Sequence, residues 1–191
     1  MSMSAFITEA RGAIAGVMRL VIFDRRGTDH FGVTNEAAAR SFWACVLSFP
    51  ALVVPLALDF ADGKVKGDPL AVSLVRILGY IAGCVVFPLV SYWVLKWLDQ
   101  AQRWPVTVYG YNWLSLVQNL GATLLLLMQR AGLLGTAAEP VMLVFYVQCL
   151  AVEAFMFTVL LEMGVSGPVA LVLLDLVIGA GIDVAARGIA V

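Results

Sequence analysis

The chain has 191 residues, of which 62% are hydrophobic and 13% charged, with a net charge of -1 and a mean hydropathy of +0.94. An average soluble domain carries roughly 25% charged residues, so the composition excludes an ordinary water-soluble domain and points to a membrane protein. The near-zero charge and the lack of a long basic run also exclude a binder of phosphate backbones, so nucleic acid is not an expected partner.

Residues 1–34 read as a cytoplasmic or interfacial segment. Phe6, Ala10, Ile14, Val17 and Val21 recur at helical spacing over 4–23, while Glu9, Arg11 and Arg19 interrupt the apolar pattern. Such a pattern predicts an amphipathic helix, lying in the membrane interface or covering the end of a bundle. Arg19 breaks the longest apolar stretch, so no secretory signal is expected. Asp24-Arg25-Arg26-Gly27 reads as a polar turn, and Thr34-Asn35-Glu36 supplies an N-cap and an acidic first turn for a helix starting near Asn35.

Residues 35–191 hold five runs that meet the requirement of about 20 mostly apolar residues: 41–60, 71–95, 106–129, 141–162 and 167–187. The expected fold is therefore an all-α, polytopic transmembrane bundle of about five spans, because lipid offers no partner for unpaired backbone groups and the runs lack the alternation of a barrel. Short links at 61–70 and 164–168 make successive spans antiparallel neighbours. Pro50, Pro55 and Pro88 remove helical hydrogen bonds and bend the first two spans. Trp43, Trp93, Trp97, Trp104 and Trp113 fall near span ends, where indole anchors at the headgroup level. Arg11, Arg19, Arg25, Arg26, Arg40, Lys96 and Arg103 share one side; Lys64, Lys66, Arg76, Arg130 and Arg187 share the other. This bias places the N-terminus in the cytoplasm and the C-terminus outside.

Glu153 and Asp175 stand deep in the last two runs with no basic residue at comparable depth. A carboxyl there must be protonated, hydrogen-bonded within the bundle or open to a polar path, since a central Asp costs about 2.5–3.5 kcal/mol to insert. Asn112, Ser115, Asn119 and Thr123 form a seam along the third run, widened by Gln118, and Tyr146 shares a face with Glu153 at helical spacing. Glu153, Asp175, Asn119, Gln118, Asn112 and Tyr146 are thus candidates for a polar network or an ion path. Gly79 and Gly83, and Gly181 with Ala185, form small-residue faces that suit close helix packing. Cys45, Cys84 and Cys149 lie in apolar runs without ligand spacing, and His30 lies outside the spans, so no metal or other cofactor is expected.

With Leu20-Val21-Ile22-Phe23-Asp24 before the bundle, Arg40-Ser41-Phe42-Trp43 at the entry to its first span and five closely spaced runs, the chain resembles the Yip-type five-span membrane proteins, in particular their bacterial branch. The resemblance implies a bacterial inner-membrane protein of interaction, organisation or trafficking type, without enzymatic activity, whose partners are the bilayer and another membrane protein or a second copy. Eukaryotic members are associated with small GTPases, but the Asp-Leu-Tyr-Gly-Pro type motif of that group is absent, so GTPase binding is not implied. The intramembrane carboxyls support an alternative: a small proton- or cation-linked transporter or channel. No HExxH, GxSxG or phosphate-cradling loop points to an enzyme.

Overall fold

The computed structural model describes residues 3–65 and 67–189, the side chains of 187–189 excepted. Lys66 and the Arg187 side chain, which enter the charge pattern above, therefore lie outside the described residues. Every long element is helical: α1 (Met3–Val21), α2 (Asn35–Ser41), α3 (Trp43–Ser48), α4 (Pro50–Ala61), α5 (Pro69–Trp97), α6 (Trp104–Arg130), α7 (Ala138–Leu161) and α8 (Ser166–Ile189).

The helix ends follow local chemistry. Thr34 caps α2 by accepting from the Ala37 amide at 3.2 Å, and Asp68 caps α5 by accepting from the Ala71 amide at 2.8 Å, with Pro69 in the first turn. These side chains satisfy donors that have no partner within the helix. Helices α2, α3 and α4 run almost end to end, with breaks at Phe42 and at Phe49 just before Pro50. Inside α5, Pro88 lacks an amide donor, and its own carbonyl accepts from Ser91 at 2.9 Å and from the Trp104 indole at 2.8 Å.

Among the described residues, four stretches are long and apolar enough to cross a membrane: Asn35–Ala61, Pro69–Trp97, Gly135–Leu161 and Ser166–Ala186. The run expected at 106–129 does form a helix, α6, but it is not among the four. Asn112, Ser115, Gln118 and Asn119 lower its hydropathy, and its first half is covered by protein: Thr107 to Gly110, Asn112 to Leu114 and Leu116 are buried. Helix α6 is the hub of the bundle and touches α1, α2, α3, α4, α5 and α7, while α8 packs on α5 and α7.

The core lies towards the end where α1 docks. Leu20, Phe87, Leu95, Tyr109, Trp113, Met156, Phe157 and Leu171 are all buried there. Helix α1 turns Ala13, Val17 and Leu20 inward and leaves Met3, Ile7, Ile14 and Met18 exposed as a second apolar stripe. It thus packs on the bundle with one face and offers another to its surroundings, so Ala13, Val17, Leu20 and Phe31 share the core with the helices that follow. The chain leaves α1 through Phe23, in the left-handed region at φ 58°, and Asp24 caps the short 3-10 turn Arg25–His30. That turn folds back tightly: a Cβ on Gly16 would lie 2.6 Å from the Gly27 carbonyl oxygen.

Candidate functional site

A half-open cavity of about 270 Å³ lies between α3, α5, α6 and α8. Its wall is unusually polar for a bundle of apolar helices, with Ser48, Tyr80, Tyr111, Asn112, Ser115, Gln118, Asn119 and Asp175 among the lining residues. The cause is the phase of α6: Tyr111, Ser115 and Gln118 fall within about 60° of one another around the helix, and Asn112 and Asn119 flank them.

Asp175 is anchored in this wall. The Tyr111 hydroxyl donates to its Oδ1 at 2.6 Å, and Tyr111 is held by a stacked contact with Phe87 whose ring centroids are 4.0 Å apart. Asn112 is 2% exposed and donates through Nδ2 to the Ser41 hydroxyl at 2.8 Å, which in turn donates to the Ala38 carbonyl at 2.7 Å. Gln118 donates to the Cys149 carbonyl at 3.1 Å, tying α6 to α7. Asn119 lines the cavity at an exposed position.

Glu153 sits behind this wall and does not line the cavity. It is 4% exposed, its Oε1 has no hydrogen-bond partner, and it interacts electrostatically with both Asp175 and Tyr111. The structure therefore brings the two carboxyls into one group, with the Tyr111 phenol as the third member.

Tyr146 stands elsewhere. It shares the helical face of Glu153 but is 53% exposed, because the cover over α7 is concentrated between Val152 and Leu161. The small-residue faces also differ from the expected pattern. Gly79 does pack closely on α8, where an added Cβ would meet Ile182 at 3.3 Å and Ala186 at 3.9 Å. Gly181 and Ala185 are exposed, one position out of phase with that contact, and Gly83 lines the cavity with no neighbour at its Cβ position. A GxxxG spacing marks a small-residue stripe, whereas the rotation of the helix decides whether a neighbour covers it.

Sequence reasoning missed Tyr111, Tyr80 and Ser48. For Tyr111 a signal existed: it precedes Ser115 by one turn and so belongs to the same seam. Tyr80 and Ser48 carry no such signal, since their meeting depends on how α3 lies against α5.

Ion pairs mark the two ends of the bundle. At one end Arg103 pairs with Glu162 at 3.0 Å and donates to the Leu160 carbonyl at 2.6 Å; the Arg103 guanidinium holds the Glu162 carboxyl below its ordinary range. At the other end Asp62 pairs with Arg130 and, at 3.0 Å, with Lys64. These two cations, Arg130 first, lower the Asp62 pKa to about 2. Arg76 and Asp183 lie 3.4 Å apart on the same half. None of these basic side chains lines the cavity.

The arrangement offers a carboxyl that can carry a proton or neutralise a cation, a phenol that can donate to it, and amides that can replace a hydration shell. Comparison with protein-family models, with curated proteins and with solved structures found no match to this chain.

Proposed function

We propose that this chain is an integral membrane protein that crosses the bilayer five times and exchanges protons or a small cation through the cavity at Asp175. Helix α6 supplies the fifth crossing. Its 27 residues reach about 40 Å at about 1.5 Å per residue, longer than the roughly 30 Å hydrocarbon core, and its polar side chains turn towards protein rather than lipid.

The observation that carries this reading is the polar cavity itself, with Asp175 in its wall and the buried Glu153 carboxyl behind it. Glu153 has no partner at Oε1, which suits a group whose proton or counter-ion comes and goes. Asp175 faces the cavity, Tyr111 positions it, and Glu153 is a reserve acceptor within electrostatic range.

Purified protein in proteoliposomes tests this, with internal pH and cation content followed by dyes. Wild-type vesicles are expected to dissipate an imposed gradient, and Asp175→Asn to slow that flux by about tenfold or more, the scale of losing one charged partner in a dry site. Flux no greater than in empty vesicles, or unchanged by Asp175→Asn, would overturn the assignment.

A second reading, that of a non-catalytic interaction or organisation component akin to Yip-type proteins, draws support from the exposed apolar stripe of α1, which runs from Met3 to Met18 while the opposite face is docked. Site-specific crosslinking from Ile7 and Ile14 in native membranes separates the two readings: protein adducts favour an organising role, and lipid adducts alone favour an anchor for the cavity-bearing bundle. The basic residues assign the side with α1, Arg40, Lys96 and Arg103 to the cytoplasm; a bacterial inner membrane rests on the Yip-type resemblance.

A further inference from the structure

Cys45 on α3 and Cys84 on α5 are both free and half-buried, both line the cavity, and each thiol lies within electrostatic reach of the other. Tyr80, one turn before Cys84, ties the two helices together. Its hydroxyl donates to the Cys45 carbonyl and lies 2.5 Å from the Ser48 hydroxyl. Pro88 has no amide hydrogen, so the Cys84 carbonyl four residues earlier also lacks its helical donor. Two thiols, a phenol and a hydroxyl thus converge on helices other than those carrying Tyr111 and Asp175.

We infer that Cys45 and Cys84 form a binding site for a soft monovalent metal ion of the Cu(I) or Ag(I) class, held between the two sulfurs. Thiolate ligands select soft ions. Among the described residues no group of three or more His, Cys, Asp or Glu is placed to share an ion, so the four donors of a structural zinc site are not assembled. Two sulfurs are enough for a monovalent d10 ion, which accepts linear two-coordination. A direct disulfide would need Cα atoms about 4.4–6.8 Å apart, and α3 and α5 are not among the helix pairs in broad backbone contact. An intervening ion relaxes that demand, holding the sulfurs at roughly twice a metal–sulfur bond of about 2.3 Å.

Binding changes no oxidation state. Each thiol gives up its proton as its sulfur–metal bond forms, so one ion enters and two protons leave to solvent. The two sulfurs line the same cavity as Asp175 without bonding to that carboxyl, so metal binding by the thiols is read directly whether or not ions cross the bundle.

Anaerobic titration of the full-length protein in detergent, with Cu(I) delivered from a chromogenic bicinchoninate complex, tests the site. The expected result is one ion per chain, with affinity reduced roughly tenfold or more by Cys45→Ser and by Cys84→Ser and unchanged by Cys149→Ser. A second readout does not depend on the variants folding: Ag(I) added to the wild type should shield Cys45 and Cys84, but not Cys149, from maleimide alkylation read by mass spectrometry. Binding that survives both substitutions, or that fails equally in Cys149→Ser, would overturn the inference. So would a loss of two hydrogens without bound metal, which would identify a disulfide.

Discussion

Glu153 is the residue with the least local reason to be where it is. Its 4% exposure and unpartnered Oε1 are a standing cost, since an unpaired polar group in a dry interior costs about 1–3 kcal/mol by mutational measures. Glu153→Met, of similar length and apolar, is therefore expected to raise thermal stability in detergent while lowering flux in vesicles. A drop in stability would show that Glu153 has a structural partner. Tyr111→Phe removes the 2.6 Å bond to Asp175 and keeps the stacking on Phe87, so it should cost about 1–2 kcal/mol. In the loop after α4, Asp62 gives a pH signature. Its pKa is lowered from 3.8 to about 2 by Arg130 and Lys64, so its contribution to stability is present above pH 4 and is lost as pH falls through about 2. Asp62→Asn should accordingly weaken the protein at neutral pH, and its difference from the wild type should shrink through that window.

The elements divide into those whose making is local and those that depend on a neighbour. The Thr34 cap and the polar seam of α6 were legible, because each is a relation between residues within one helical turn or one helix face; the Asp68 cap lay in what read only as a polar link, and Pro50, expected as a bend inside a span, instead opens α4. The burial of Glu153 near Asp175 was less legible: the depth of each could be counted along its helix, whereas their convergence depends on how α7 and α8 pack together. Rotational phase was not legible at all for Gly181 and Ala185, where Ile182 and Ala186 make the contact with Gly79 instead. The fold-back of the 3-10 turn onto α1 was equally hidden, since Gly16 and Gly27 look unremarkable until their backbones meet. At that meeting Gly16→Ala should cost about 1–3 kcal/mol by overpacking. Gly12→Ala, where an added Cβ meets nothing within 4 Å, should be neutral or stabilise α1 by about 0.5–1 kcal/mol. Equal effects of the two substitutions in thermal unfolding would contradict the close approach.

Across the whole molecule, the packing is graded along the bundle. Large buried side chains gather where α1 covers α6 and α7, while Leu74, Leu78, Leu124, Leu127, Leu143 and Val144 turn outward. In water those side chains would form an aggregating surface; in a bilayer they face hydrocarbon, and the polar seam is the part that must be enclosed. Reporter fusions at the N-terminus and after Gly132 should read as cytoplasmic and external, as an odd number of crossings between these points requires. Matching sides would place α6 outside the set of crossings.

If ions in water reach Asp175 inside this apolar bundle, a water-soluble reagent reaches the same cavity. Gly179 lines the cavity, and a Cβ there would meet nothing within 4 Å, so Gly179→Cys can report on it in a background carrying serine at Cys45, Cys84 and Cys149. A positively charged, membrane-impermeant methanethiosulfonate applied to reconstituted protein is predicted to modify this cysteine, and to do so more slowly when Asp175→Asn removes the attracting charge. A cysteine at Gly179 that stays unmodified, or reacts at a rate indifferent to Asp175→Asn, would contradict the account.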